Sequence, residues 1–122
     1  MMRFLMYTIG DDSVPLPPPS PELMAEMGKF MNEATNAGVL LATGGMAPTS
    51  QGTTIRFSNG KFTVTDGPYA EAKELIGGWA LVQVASKAEA LDWAKRFLRI
   101  AGGGESRIRQ VYGPEDAGPG LA

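Results

Sequence analysis

One stretch of this chain concentrates groups able to do chemistry: Thr65-Asp66-Gly67-Pro68-Tyr69-Ala70-Glu71-Ala72-Lys73-Glu74, an acidic turn with an aromatic ring and alternating charges. A carboxylate such as Asp66 removes a proton when its surroundings match its acidity to the working pH. The same residue also opens an Asp-Gly-Pro turn, in which Asp bonds the backbone ahead of it and Pro fixes φ. Anchoring that turn is the preferred reading of Asp66, and catalysis the second. Glu71, Lys73 and Glu74 read as a solvated turn of helix, because exposed charge runs usually serve solubility. Tyr7 and Arg109 lie in apolar segments near the two ends of the chain. If Leu5, Tyr7, Arg109 and Val111 face one enclosed space, Arg109 is a cation that needs an anion. Asp66 is its expected partner within the chain, and a carboxylate-bearing ligand is the alternative. With Pro68 and Tyr69 beside Asp66, the candidate ligand-binding set is Tyr7, Pro68, Tyr69 and Arg109.

What is missing narrows the chemistry further. The 122 residues include no His and no Cys. That removes Ser-His and Cys-His nucleophilic arrangements, thiolate zinc sites, disulfides and most transition-metal sites. No cofactor is implied, since Gly44-Gly45 and Gly102 to Gly104 lack the spacing of a phosphate-binding loop. A net charge of −2 argues against nucleic acid. Lys95, Arg96, Arg99, Arg107 and Arg109 do form a basic concentration with Trp93 and Phe97 interleaved, but Phe97 falls on an apolar stripe, and Asp92 and Glu105 dilute the charge. The apolar run from Phe4 to Ile9 is too short for a secretory h-region, and no stretch approaches the roughly 20 apolar residues that span a bilayer. A cytoplasmic protein without nucleic-acid or membrane partners is therefore expected.

The elements that must position these groups follow from patterning. Met2 to Ile9 alternates as a strand, with Phe4, Met6 and Thr8 on one side and Arg3, Leu5, Tyr7 and Ile9 on the other. Gly10 to Pro19 is a Pro-rich loop. Ser20-Pro21 predicts an N-cap followed by Pro at the first helical position, and Leu23, Met27, Phe30 or Met31, and Ala34 recur at helical spacing up to Gly38. The methionines of this helix, Met24, Met27 and Met31, suit adaptable packing. Val39 to Ala42 is a short strand. Thr53 to Phe57 and Phe62 to Thr65 flank an Asn59-Gly60 hairpin signal. Gly78 to Val84 is a strand with apolar residues on both faces. Ser86-Lys87-Ala88-Glu89 has capping-box spacing and opens a helix with Ala90, Leu91, Ala94, Phe97 and Leu98 as its stripe. Gly102 to Gly104 ends it, Ser106 to Tyr112 is the last strand, and the end of the chain reads as a loose tail.

With 43% hydrophobic and 20% charged residues, this length suits one domain that buries about two-thirds of its unfolded surface. The expected division is a single domain over residues 1–113 and a loose tail over 114–122. The element order predicts an α+β fold, a ferredoxin-like βαββαβ unit with an inserted β-hairpin. Two helices cover only one face of such a sheet, so a second copy of the chain is expected to cover the other.

Nearly the whole chain also resembles a known family. The resemblance is carried by Met2-Arg3-Phe4-Leu5-Met6, the Gly38-Val39-Leu40-Leu41 turn into a strand, Val64 to Glu74, Leu75-Ile76-Gly77-Gly78-Trp79, the Ser86 helix and Ile108-Arg109-Gln110-Val111-Tyr112. Together they resemble the YCII-related family in its DGPF-motif branch, with Tyr69 in place of the more usual Phe. The resemblance implies a dimeric α+β barrel, in which two ferredoxin-like sheets pack face to face as a homodimer. A His-Asp acid/base dyad proposed for the wider family cannot be carried over, because only Asp66 matches. Gly44 stands where the family's pattern has an acidic residue, which removes a second carboxylate. The branch is associated with extracytoplasmic-function sigma factors, so the resemblance implies a small-molecule-binding accessory or regulatory protein. The alternative is a cofactor-free isomerase or lyase with Asp66 as general base, Arg109 as anion anchor, and Tyr7 and Tyr69 as polar walls.

Overall fold

Capping and turn chemistry set the element boundaries in the computed structural model, which describes residues 1–10, 18–67 and 75–114. The chain runs β1 (Met2–Gly10), α1 (Pro21–Asn36), β2 (Leu40–Gly45), β3 (Thr53–Ser58), β4 (Lys61–Asp66), β5 (Leu75–Val84), α2 (Lys87–Ala101) and β6 (Glu105–Val111). Ser20 caps α1, its Oγ accepting from the Leu23 N–H at 3.1 Å. Ser86 caps α2 in the same way, accepting from the Glu89 N–H at 3.2 Å. The Glu89 carboxylate returns to the Ala85 N–H at 2.9 Å, one residue before the cap, so the expected capping box closes one position early.

The four strands β2-β5-β1-β6 form one antiparallel sheet, with the two neighbours of β1 contributed by the far half of the chain. This is the α+β, ferredoxin-like arrangement, and its two central strands are β5 and β1. Strands β3 and β4 form a separate ribbon. Its turn places Asn59 at φ 54° and Gly60 at φ 74°, the left-handed pair that matches the twist of a two-residue hairpin.

Both helices lie over one face of the sheet. Phe4, Met6, Val39, Val82, Val84, Ala90 and Ala94 form the core there. Phe30 and Ala34 are the buried residues of α1. On α2, Leu91 is 38% exposed rather than part of the buried stripe. Trp93 turns inward instead, its ring centroid 5.8 Å from that of Phe30. A large ring pointed at the facing helix fills the interhelical seam better than Leu91 would from the helix flank.

Two strands are longer than local patterning predicts. β2 continues through Thr43-Gly44-Gly45 because these residues pair with Ala80, Trp79 and Gly78. β5 begins at Leu75, and a register shift between Tyr7 and Ile9 accommodates its early part against β1. Thr8 sits in that irregularity: its Oγ1 accepts from the Gly78 N–H at 2.8 Å and donates to the Gly78 carbonyl at 3.4 Å. A side chain thereby satisfies backbone groups that the interrupted ladder leaves unpaired. No described helix is long and apolar enough to cross a membrane. The Pro-rich loop expected between β1 and α1 falls largely on residues 11–17, and most of the expected tail on residues 115–122, outside the described residues.

Candidate functional site

The face of the sheet turned away from the helices carries Tyr7 and Arg109 as expected, since β1 and β6 are neighbours. Register places Trp79, Tyr7 and Arg107 in one cross-strand row and Leu81, Leu5 and Arg109 in the next. Direct cross-strand partners share a face, so Tyr7 and Arg109 are diagonal neighbours. Arg107 shares the parity of Arg109 and belongs to this constellation, although the sequence reading singled out Arg109 alone. It bonds Glu105 at 3.1 Å. Leu5, Tyr7, Trp79 and Leu81 are half-buried, while Arg109 is exposed.

Trp79 lies across Gly44 on this same face. A Cβ built at Gly44 would stand 3.0 Å from Cζ2 of the indole, closer than side-chain carbons normally approach. Glycine is therefore favoured here by the neighbouring ring, which would have to give by a few tenths of an ångström for any other residue.

Asp66 is placed elsewhere, at the open end of the β3-β4 ribbon. It is exposed, and its Oδ1 accepts from the Thr53 hydroxyl at 2.9 Å. The next N–H, of Gly67, donates to the Gly52 carbonyl at 3.0 Å. These two bonds close the base of the hairpin, and the turn that Asp66 was expected to anchor runs on into residues outside the described ones. No ion pair joins Asp66 to Arg109 within the chain, so the expected intramolecular pairing is not formed. The reason is topological: the ribbon is a separate sheet, and nothing in the register brings its base onto the face that carries β6. Pro68, Tyr69, Glu71, Lys73 and Glu74 lie outside the described residues.

Asp66→Asn is expected to leave stability within about 0.5 kcal/mol of the parent, because Asn retains a carbonyl acceptor for Thr53 at an exposed position. Thermal or urea unfolding checks this. A loss above about 1 kcal/mol would mean that the charge has a partner beyond Thr53.

The concave space lies on the opposite side of the sheet, between it and the helices. A pocket of about 210 Å³ is lined by Met6, Thr8, Phe30, Met31, Trp93, Phe97 and Ser106, and Tyr7 and Trp79 also border it from the sheet. Among the described residues no Asp, Glu, Lys or Arg lines it. Native interiors hold few voids larger than a water molecule, so an apolar space of this size is unusual. Met31, expected to serve packing, is thus a wall of the pocket, whereas Met24 is 61% exposed.

Arg96 fastens the outer side of this wall. Its guanidinium stands 5.1 Å from the Phe30 ring centroid and 4.8 Å from that of Trp93. It also bonds the Glu33 carboxylate at 2.5 Å. The hydrogen bond from Arg96 holds the Glu33 carboxyl below its ordinary range, and Glu33 in turn raises Arg96. One cation therefore joins both helices through two rings and a carboxylate. The basic concentration read from sequence is also divided, since Lys95, Arg96 and Arg99 lie on α2 while Arg107 and Arg109 lie on the far face of the sheet.

The profile of the YCII-related domain matches residues 2–112, nearly the full set of elements just described. The chain belongs to the YCII-related domain family. An uncharacterized protein of Rhizobium meliloti (strain 1021) is 37% identical over 95 residues, covering 75% of this chain and 77% of that protein. In this YCII-related protein the fold and the candidate surfaces were legible to different degrees. The pocket was missed because its walls come from β1, α1, β2, β5, α2 and β6. A usable signal was Trp93, three residues beyond Ala90 on the buried side of α2, with Phe30 on the matching stripe of α1.

Proposed function

We propose that this YCII-related protein, as a member of the DGPF-motif branch, is a small-molecule-binding accessory or regulatory protein linked to an extracytoplasmic-function sigma factor. The observation that carries the binding half is the apolar pocket between helices and sheet, which among the described residues offers no carboxylate or cation to a reacting centre. The Thr65 to Glu74 signature and its usual genomic company support the regulatory half. The protein acts in the cytoplasm as a homodimer built through the open sheet face, with residues 1–113 as the domain and 114–122 as a loose tail.

The alternative, a cofactor-free isomerase or lyase with Asp66 as general base, needs Asp66 within hydrogen-bond reach of a substrate proton in an enclosed site. Asp66 is exposed and occupied by Thr53. Binding without turnover is the better-supported reading.

Toluene is expected to raise the melting temperature of the protein in a concentration-dependent way, as any ligand of the native state does. Ala80→Leu, which fills the pocket from the sheet side, is expected to abolish the rise. No stabilisation of the parent by toluene would remove the binding reading. The regulatory half is tested separately, by co-purification with the sigma factor encoded in the same gene neighbourhood. Absence of such a neighbour, or failure to bind it, removes that half alone.

A further inference from the structure

The pocket has two chemically different ends, and their difference selects a ligand. Its walls near α1 and α2 are rings and thioethers: Phe30, Trp93, Phe97, Met6 and Met31. Aromatic faces and polarizable, unbranched Met side chains accommodate a flat ring in more than one tilt. The volume is informative beside a known case, since an apolar cavity of about 150 Å³ holds benzene. About 210 Å³ admits one ring with a few further atoms.

The other end is a polar row on the sheet. Ser106 stands opposite Thr8 in the β1-β6 register, and Thr8 bonds across to Gly78 of β5. The hydroxyl protons of the two threonines at this end are already committed. Thr8 donates to the Gly78 carbonyl, and Thr43 donates to the Trp79 carbonyl at 2.8 Å. Ser106 differs. It is half-buried and lines the pocket, and among the described residues its hydroxyl has no hydrogen-bond partner. A hydroxyl at the edge of an apolar space is a donor and an acceptor awaiting one group.

Charge is excluded by the same walls. A carboxylate or ammonium placed here would lose its water without gaining a counter-ion from the described lining, a large penalty. Arg96 does not supply one, because it lies over the Phe30 and Trp93 rings and bonds Glu33.

We infer that the pocket takes a neutral, single-ring molecule bearing one hydroxyl or carbonyl group, its ring between the helices and its polar group on Ser106. This rests on the binding reading above and adds the chemistry and the orientation. The carboxylated ligands that Arg109 suggested belong, on this inference, to no site in the pocket.

Three probes separate the possibilities: p-xylene, p-cresol and benzoate, each titrated against protein carrying labelled Met methyl groups. p-Cresol and p-xylene are expected to shift the Met6 and Met31 methyl resonances, with benzoate silent at the same concentrations. Ser106→Ala, with its amide spectrum used to confirm folding, is expected to weaken p-cresol roughly three- to tenfold, the factor for one neutral hydrogen bond. Its affinity for p-xylene is expected to be unchanged. Benzoate binding as tightly as p-cresol, or Ser106→Ala weakening both neutral probes equally, would overturn the ligand class and leave binding itself intact. Failure of all three probes to move the methyl resonances would overturn the class and the binding reading together.

Discussion

Phe4→Ala is expected to lower folding stability by about 3 to 5 kcal/mol, the range for truncating a ring in a well-packed core. Phe4 is 3% exposed and lies on β1, which is paired on both sides, by β5 and β6. Its cluster joins sheet to helix, with Val82 and Val84 on β5, and Ala90 and Ala94 on α2. The two alanines allow α2 to approach the sheet closely, so removal of the ring leaves a cavity at that contact. Against a typical total of about 5 to 15 kcal/mol, such a loss leaves the domain marginal. Urea unfolding monitored by helical circular dichroism measures it. A change below about 1.5 kcal/mol would show that the surroundings of Phe4 collapse around the cavity.

The second large effect concerns assembly. Light scattering is expected to return about twice the 12.9 kDa mass of the chain, and Leu81→Asp about one such mass. Leu5, Tyr7, Trp79 and Leu81 form a contiguous half-buried surface on the side of the sheet that lacks helices. Charges flank it on β6, and Arg109 among them has no ion pair to a described residue. An apolar patch of this kind is buried most simply by a two-fold axis, with an obligate interface expected on the order of 2,000 Å² or more in total. The ribbon adds to the case, since Ile55, Phe57, Phe62 and Val64 share its apolar face and are 60% to 72% exposed. A two-stranded ribbon is marginal by itself. A carboxylate at position 81 would lose its water at the centre of the interface and split the dimer. A parent that is monodisperse as a monomer at micromolar concentration would end this reading. A Leu81→Asp variant that stays dimeric would move the interface off the sheet face.

Features decided within a few residues were legible in the sequence. Ser20 and Ser86 announced their helices because a cap is a bond to an N–H three residues away, and Asn59-Gly60 announced its hairpin because both positions need positive φ. The ferredoxin-like order followed from alternation of elements and from the rule that opposed faces need cover. The extension of β5 back to Leu75 was not legible, because Gly77-Gly78 carries no patterning and its pairing depends on the Thr8 side chain. The Asp66-Arg109 pairing went wrong for a related reason. Charge complementarity says which groups suit one another, and the placement of a separate ribbon says whether they meet. The pocket was least legible, since it is a volume bounded by six elements and no local run of residues encodes a volume.

The contact between Gly44 and Trp79 has a consequence for substitution. A Cβ at position 44 would meet the indole at about 3.0 Å, so the ring must give by a few tenths of an ångström to admit one. Substitutions at positions 44 and 79 are therefore expected to be non-additive, a smaller side chain at 79 lowering the cost of any side chain at 44.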